Sequence, residues 1–195
     1  MILKRENVII ELKDQTVKQY GEIEFQEITF AQKINVRGSV KNKNFMTLQG
    51  KLLDAVLPIK PNTYTKNRKI KILWLGPNEW LVVDEDENNN DLFLKLEKNN
   101  SYEESAITDV SENRTIIRIR GKKVFKLLAK FIVLDLDKNL SNDSSVAQTL
   151  FIKVPIILVR NNINNQIVEI DLYANRSHTN YIYNLLIDGT KNLDF

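Results

Sequence analysis

Few side chains in this sequence have the chemistry that catalysis needs. His178 is the single histidine and there is no cysteine, so thiolate nucleophiles, disulfides and cysteine-ligated metals are excluded. A Ser-His-Asp arrangement would need His178 as its base, and the sequence holds no G-x-S-x-G segment to supply the nucleophile. The phosphate-binding patterns G-x-G-x-x-G and G-x-x-x-x-G-K-[ST] are also missing. We therefore expect no catalytic residue and no cofactor site in this chain.

Carboxylates offer little more. The run Asp84-Glu85-Asp86-Glu87 could attract a cation, but it leads into three asparagines after a predicted strand, which is typical of a solvated loop. Asp109 and Asp171 lie singly in strand patterns, with no second acid or base beside them in the sequence. A metal site with one histidine would have to be built almost wholly from carboxylates, and we predict none.

A row of arginines is the clearest charged pattern. In "RTIIRIRG" (residues 114–121), alternation places Arg114, Arg118 and Arg120 on the side of the strand opposite Thr115, Ile117 and Ile119. Arginines in a row suit an acidic partner surface or an anionic ligand. The alternative is a solvated face held by salt bridges, and the sequence leaves both interpretations open.

Two tryptophans mark a predicted hairpin. The stretch "ILWLGPNEWLVV" (residues 72–83) places Trp74 and Trp80 in apolar runs on either side of a Gly-Pro-Asn turn, whose residue types suit a short connection. Aromatic side chains bury large areas both in cores and in interfaces. Packing of either kind is the favoured interpretation, and ligand stacking is the alternative.

Composition describes an ordinary globular protein. The 195 residues are 43% hydrophobic and 27% charged, with a net charge of +3. Basic and acidic residues are interspersed, which makes no case for nucleic acid. The N-terminus has charges on both sides of a very short apolar run, so we predict neither a signal peptide nor a membrane span. We expect a cytoplasmic protein.

Helices and strands alternate along the chain after a first segment of mixed character. Residues 1–30 are predicted to be an extension that lies over the main body or over a partner. A strand follows from residue 32, and then a helix with Phe45, Leu48, Leu52 and Val56 on its apolar stripe, ended by two prolines.

The closing helix is expected in "SHTNYIYNLLIDG" (residues 177–189). The spacing turns Tyr181 and Leu185 inward. Ser177 is the predicted N-cap and Gly189 the predicted C-cap.

The order of elements occurs twice. A strand ending in Arg-Gly leads into a helix at Gly38 and again at Gly121, and each is followed by two strands and another helix. The pattern predicts an α+β fold of two tandem βαββα (split βαβ, ferredoxin-like) repeats with antiparallel sheets. Residues 31–190 form the predicted domain, with pseudo-repeats 31–111 and 112–190.

Several segments, in the same order, resemble the gamma subunit of heterotetrameric sarcosine oxidase. The resemblance covers nearly all of residues 30–190, and the L-G-P-[DN]-E-W-L and A-Q-T-L elements are its most specific parts. The segments that carry it are "INVRG", "LPIKPNTYT", "LWLGPNEWLVV", "TDVSENRTIIRIRG", "LLAKFIVLDL", "VAQTLFIKVPIIL" and "DLYANRSHTNYIYNLL".

The resemblance implies a fold similar to the folate-binding region of the glycine-cleavage T-protein. It also implies a complex with alpha, beta and delta subunits that oxidatively demethylates sarcosine to glycine. FAD, FMN, NAD and tetrahydrofolate would be carried by the partner subunits, and none by this chain. On this interpretation Trp80, Arg118 and Arg176 are the expected contacts with partner subunits.

Two other functions compete with this one. A stand-alone folate-binding protein of the same superfold would resemble the iron–sulfur maturation factor family, whose K-G-C-Y-x-G-Q motif needs a cysteine that this chain lacks. A folate-dependent aminomethyl- or methyltransferase is roughly twice this length and carries a further barrel domain. Since fold analogy does not confer function, both rank below a non-catalytic subunit, whose holoenzyme could also act on a related N-methylamine.

Overall fold

The computed structural model describes residues 7–12, 17–68, 70–86, 91–162 and 166–193. None of the helices within these ranges is both long enough and apolar enough to cross a bilayer. The strands are β1 (Val17–Tyr20), β2 (Ile23–Ile28), β3 (Gln32–Arg37), β4 (Tyr64–Asn67), β5 (Ile70–Gly76), β6 (Glu79–Asp84), β7 (Ala106–Asp109), β8 (Arg114–Gly121), β9 (Val146–Phe151), β10 (Val154–Arg160) and β11 (Val168–Asn175). The helices are α1 (Lys43–Leu53), α2 (Leu92–Lys98), α3 (Val124–Leu128), α4 (Leu136–Asn139) and α5 (Thr179–Thr190).

The chain divides into two compact units. One, which we call the inserted unit, is the continuous stretch Phe30–Glu112. The other, the split unit, is made of Met1–Thr29 together with Asn113–Phe195. Each unit has one antiparallel sheet and one apolar core of its own, which confirms the predicted α+β class with two ferredoxin-like sheets.

The inserted unit has a five-stranded sheet in the order β4-β5-β6-β3-β7. Ile34 and Val36 of β3 are buried, as the alternation predicts, and the helices α1 and α2 cover this face. The predicted tryptophan hairpin is β5–β6, in which Trp74 lies directly opposite Trp80. Opposite residues of an antiparallel pair share one face, so the hairpin turns both indoles toward the same side.

Helix α1 follows the predicted apolar stripe only in part. The Asn42 side chain accepts the N–H of Phe45 at its start, and Asp54 in the left-handed conformation ends it. Phe45, Gln49 and Leu53 are buried, and Leu52 packs against this core partly buried, so the predicted stripe is confirmed at Phe45 and Leu52. Leu48 is only half-buried, and the inward position of Val56 was wrong. The cap at Asp54 stops the helix before Val56, which is 75% exposed, so the stop does not depend on the prolines.

The split unit has a six-stranded sheet in the order β1-β2-β8-β11-β10-β9. Ile117 and Ile119 of β8 face a core closed by α3 and α5. Phe131 stacks on Phe151 within this core, with ring centroids 4.8 Å apart. The opposite side of β8 therefore carries its arginines.

Strand β2 completes the split unit, which corrects the interpretation of residues 1–30 as an extension. Ile23 and Phe25 are fully buried, and the whole strand pairs antiparallel with β8. In the inserted unit the corresponding neighbour of β3 is β7, which follows α2 in the chain. No strand follows α5 in the described residues up to 193, and the corresponding strand comes from the chain before the inserted unit.

Helix α5 is rotated relative to the prediction. Ile182, Tyr183 and Leu186 are buried, Leu185 packs against the core partly buried as predicted, and Tyr181, predicted inward, is half exposed. A short 3-10 turn over Arg176–His178 precedes the helix, so Ser177 is not its N-cap. Gly189 lies inside the helix, where a Cβ would meet the Phe131 ring at 2.6 Å, so close packing and not capping explains this glycine.

Candidate functional site

The arginines of β8 lie at the centre of the six-stranded sheet. Strand β8 is paired with β2 on one side and β11 on the other, and successive residues of a strand point to opposite faces. Thr115, Ile117 and Ile119 face away from Arg118 and Arg120, as predicted. The register places an acidic residue of β11 directly opposite each of these two arginines.

Arg118 is held by Asp171 in a two-point contact. Its Nε donates to Oδ1 of Asp171 at 2.7 Å, and its Nη2 donates to Oδ2 at 3.0 Å. The Asp171 side chain is fully buried and that of Arg118 is 20% exposed. Bidentate pairs of this kind fix both orientation and charge, so Arg118 is a positioned part of the sheet.

Arg120 continues the row toward solvent. Its guanidinium lies 3.6 Å from the Glu24 carboxylate of β2 and 3.9 Å from that of Glu169 of β11. Glu169 also lies 3.7 Å from Nε of Arg118 and so bridges the two arginines. Contacts at these distances between half-exposed groups contribute little to stability, but together they nearly neutralise the face.

A shallow cavity of about 240 Å³ opens at the end of this row. Gly121 forms part of its wall and has a φ of +155°, and a Cβ there would collide with the carbonyl oxygen of Glu22. Lys122 and Lys123 lie within 3.8 Å and 3.3 Å of the Glu22 carboxylate. The lining residues are Glu22, Glu24, Arg120, Gly121, Lys122 and Ile167.

The chemistry of this face is electrostatic. Each of its charged groups has an oppositely charged neighbour, and no histidine or nucleophile lies among the lining residues. Within the described ranges no three His, Asp or Glu side chains converge as a metal site would require. The arrangement can orient a contacting surface, and its carboxylates are held in ion pairs with neighbouring basic groups.

Trp80, predicted as a partner contact, is placed in the core of the inserted unit. It has no exposed surface, and its indole Nε1 donates to the Pro58 carbonyl at 2.8 Å. The ring packs near Phe45, with centroids 6.2 Å apart. A side chain buried in this way cannot touch another subunit, so the interface role of Trp80 is wrong.

Arg176 and Arg118 both belong to the split unit but do not share a contact in it. Arg176 is exposed in the turn after β11, and its N–H donates to the Asn113 carbonyl at 2.9 Å. Arg118 lies on β8 opposite Asp171, and Asp171 precedes Arg176 by five residues in the chain.

The remaining candidates have structural explanations. His178 is exposed beside Ser177, with 3.3 Å between Nδ1 and the hydroxyl. Asp109 accepts both the N–H and the hydroxyl of Ser111. In the acidic run, Asp84 accepts the N–H of Asp86 and Glu85 pairs with Lys71, while Glu87 lies outside the described residues.

The acidic partners of the arginines were missed in the sequence. Glu169 and Asp171 alternate with isoleucine in "VEIDL", a pattern that already places both on one face of a strand. Glu24 was missed because it lies in the segment taken for an extension.

No protein-family model and no curated protein matches this sequence. Among solved structures, the chain is similar to a chain of a heterotetrameric sarcosine oxidase from Corynebacterium sp. U-96, in complex with pyrrole 2-carboxylate. The TM-score is 0.82 at 19% identity, with 98% of this chain and 97% of that chain covered.

It is also similar to the glycine cleavage system aminomethyltransferase T from Bartonella henselae. There the TM-score is 0.61 at 13% identity, over 85% of this chain and 45% of that one. The chain thus spans about half the length of the aminomethyltransferase. At these identities the comparisons show a shared fold.

Proposed function

We propose that this chain is a non-catalytic structural subunit of a sarcosine oxidase, in the place of the gamma subunit of a heterotetramer. The holoenzyme converts sarcosine, O2 and tetrahydrofolate to glycine, H2O2 and 5,10-methylenetetrahydrofolate. FAD, FMN, NAD and tetrahydrofolate are bound by the alpha and beta subunits, the delta subunit completes the assembly, and the complex is cytoplasmic.

The observation that carries the proposal is the correspondence of whole chains. The match with the oxidase covers 98% of this chain and 97% of the other, so nothing large is added or missing on either side. The match with the aminomethyltransferase leaves more than half of that enzyme without a counterpart here. A chain that corresponds end to end with one member of an assembly is best interpreted as such a member.

The charges of the split unit fit this role. Arg118, Arg120, Glu169 and Asp171 pair with one another across neighbouring strands. Paired charges of this kind are held rigidly and contribute to the electrostatic potential of the surface. Such a potential determines which partner binds more than it determines how tightly the partner binds.

Co-expression tests the proposal. The chain carries an affinity tag and is produced alone and together with the candidate alpha, beta and delta subunits from the same organism. Particle size, flavin absorbance and sarcosine-dependent peroxide formation are followed through purification. We expect a colourless, inactive protein alone, and a yellow complex that forms peroxide when the four chains are produced together.

Two outcomes would replace the proposal. If the chain stays apart from those subunits and binds tetrahydrofolate by itself in calorimetry, it is a stand-alone folate-binding protein of the same superfold. If the complex forms but oxidises another N-methylamine in preference to sarcosine, the chain is a subunit of a related demethylase.

A further inference from the structure

Positive charge is concentrated in one part of the inserted unit. Between Gly38 and Ile70 the sequence holds seven basic residues and one acidic residue, Asp54, a net charge of +6 in a chain whose total is +3. This segment contains α1, the loop after it and β4. Such an excess on one helix and its loop creates a local field that attracts negative groups.

The same region holds an open groove. It has a volume of about 600 Å³ and runs along α1 and the residues that follow it. Beside it, Val56 is 75% exposed and Ile59 is 70% exposed, which is unusual for two large aliphatic side chains so close in sequence. The lining residues are Met46, Thr47, Gly50, Lys51, Asp54, Ala55, Val56 and Leu57.

Lysines flank this groove. Lys43 precedes Met46 and Thr47 by three and four residues, so it lies on the groove side of α1, and Lys51 lines the groove itself. Lys60 is the next residue after Ile59. All three are exposed, and none forms an ion pair with any residue that the structure describes.

We propose that this groove binds an acidic, partly apolar segment of a different protein chain. The segment's aliphatic side chains fill the groove against Met46 and Val56, and its carboxylates lie over Lys43, Lys51 and Lys60. A core of apolar contact with charges at the rim is the usual anatomy of a protein interface. None of the three lysines forms an ion pair within the described part of this chain, and Asp54 is the one carboxylate among the described residues that line the groove. The partner supplies the remaining counter-charge.

Other negative occupants fit less well. The groove is lined by apolar side chains together with Thr47, Lys51 and Asp54, and a carboxylate in the lining disfavours a phosphate. Arg68 is the segment's single arginine. A second copy could offer residues 84–104, which carry eight acidic and two basic residues. That contact would be heterologous, giving a ring where the rotation between copies closes and a filament where it does not.

This inference rests on the proposed function in one respect, which is the identity of the partner. If the chain is an oxidase subunit, the acidic segment belongs to the alpha, beta or delta subunit. The test therefore separates the partner's identity from the binding by the groove.

Two variants perturb the groove in different ways. The first is the triple substitution Lys43→Glu/Lys51→Glu/Lys60→Glu. The second is Gly50→Gln, whose Cβ would meet nothing nearer than the Ala55 carbonyl at 3.4 Å. Glutamine is a better helix former than glycine, so this variant obstructs the groove while favouring the fold. The matched control is Lys126→Glu/Lys138→Glu/Lys153→Glu, which changes the net charge equally at exposed lysines of the split unit.

The measurement is the amount of chain incorporated per flavin when each variant is co-expressed with the three other subunits. We expect both groove variants to lower incorporation at least about tenfold, because attractions become repulsions in one and the groove is filled in the other. The control triple should be incorporated as the unmodified chain is. Incorporation of both groove variants at the unmodified level would overturn the inference.

If the unmodified chain itself fails to join these subunits, the proposed function fails and the groove is tested directly. The probe is a synthetic helical peptide with glutamates on one face and leucines on the other, titrated into the isotope-labelled full chain by NMR. We expect shifts at Val56 and Ile59 that vanish when salt is raised from about 0.1 M to about 1 M. The inference is wrong if the peptide does not bind, or binds the triple variant equally well.

Discussion

Arg118 and Asp171 face each other across β8 and β11 and share two hydrogen bonds, with the carboxylate fully buried. Taking a pair of charges out of water is costly, so such a contact is maintained only while both partners are present. The pair lies in the middle of the six-stranded sheet, so loss of one member should destabilise both β8 and β11.

Removing one partner should therefore be worse than removing both. We expect Asp171→Ala to lower the free energy of unfolding by about 3 kcal/mol, because it leaves Arg118 mostly buried without its counter-charge. The double variant Arg118→Met/Asp171→Leu should lie within about 1 kcal/mol of the unmodified protein. Urea unfolding followed by circular dichroism measures both, and equal losses in the two variants would contradict the buried-pair interpretation.

Gly121 should tolerate no side chain. A Cβ there would collide with the Glu22 carbonyl, and the backbone has a φ that glycine alone adopts easily. We expect Gly121→Ala to cost at least about 3 kcal/mol. The control is Gly21→Ala, where φ is +58° but nothing lies within 4 Å of the new Cβ, and where a cost of only about 1 kcal/mol is expected. Similar midpoints in thermal unfolding would show that β2 does not pass β8 this closely.

Tyr183 should make the protein sensitive to alkali. Burial raises the pKa of its hydroxyl, with smaller contributions from Tyr20 and Glu11. In the unfolded chain this group loses its proton near pH 10, whereas in the folded protein it retains it. The contribution of protonated Tyr183 to the free energy of unfolding is therefore fully present below about pH 10. It falls as the pH rises further, by up to about 1.4 kcal/mol per pH unit.

The variant Tyr183→Phe isolates that effect. It retains the ring that packs edge-on against Phe25 at 5.9 Å and removes the titrating hydroxyl. We expect stability within about 1 kcal/mol of the unmodified protein at pH 7 and a shallower loss between about pH 10 and pH 11. If the free energy of unfolding changes with pH in the same way in both proteins, the Tyr183 hydroxyl is in contact with water and the prediction is wrong.

Trp80 should act on stability and not on association. We expect Trp80→Phe to lower the free energy of unfolding by about 2 kcal/mol, since the Pro58 carbonyl loses its donor and a cavity is left beside Phe45. Trp74→Phe, at the half-buried position opposite, should cost about half as much or less. Guanidinium unfolding gives both values, and fluorescence should show the bluer emission from Trp80.

Alternation along single strands predicted the faces of β3 and β8 correctly. Because side chains of a strand alternate between its two faces, the apolar residues identify the buried face directly. Ile34 with Val36, and Ile117 with Ile119, are examples. The faces of α1 and α5 were predicted only in part, at Phe45, Leu52 and Leu185, because a 3.6-residue period lets two neighbouring stripes compete. In α1 the polar Gln49 is buried in place of Leu48, and no periodicity of apolar residues could indicate that.

Two features could not be predicted from the local pattern of apolar residues. Strand β2 pairs with β8 about 95 residues away, and the short, alternating "IEFQEI" does not identify its neighbour. The lysines beside the groove were overlooked for a related reason, because a net charge of +3 averages a strongly basic segment with an acidic one. Charge counted by segment would have found them.

The placement of β2 next to β8 also sets an order for biosynthesis. Residues 23–28 leave the ribosome before the inserted unit, while their partner strand is made only after it. The inserted unit is continuous, so its sheet can close while β2 has β1 on one side and still lacks β8 on the other. During that interval β2 is an unprotected strand edge, and its interspersed glutamates, Glu22, Glu24 and Glu27, are the kind of residues that discourage aggregation. The charge that later lies beside Arg120 thus first keeps a nascent strand in solution.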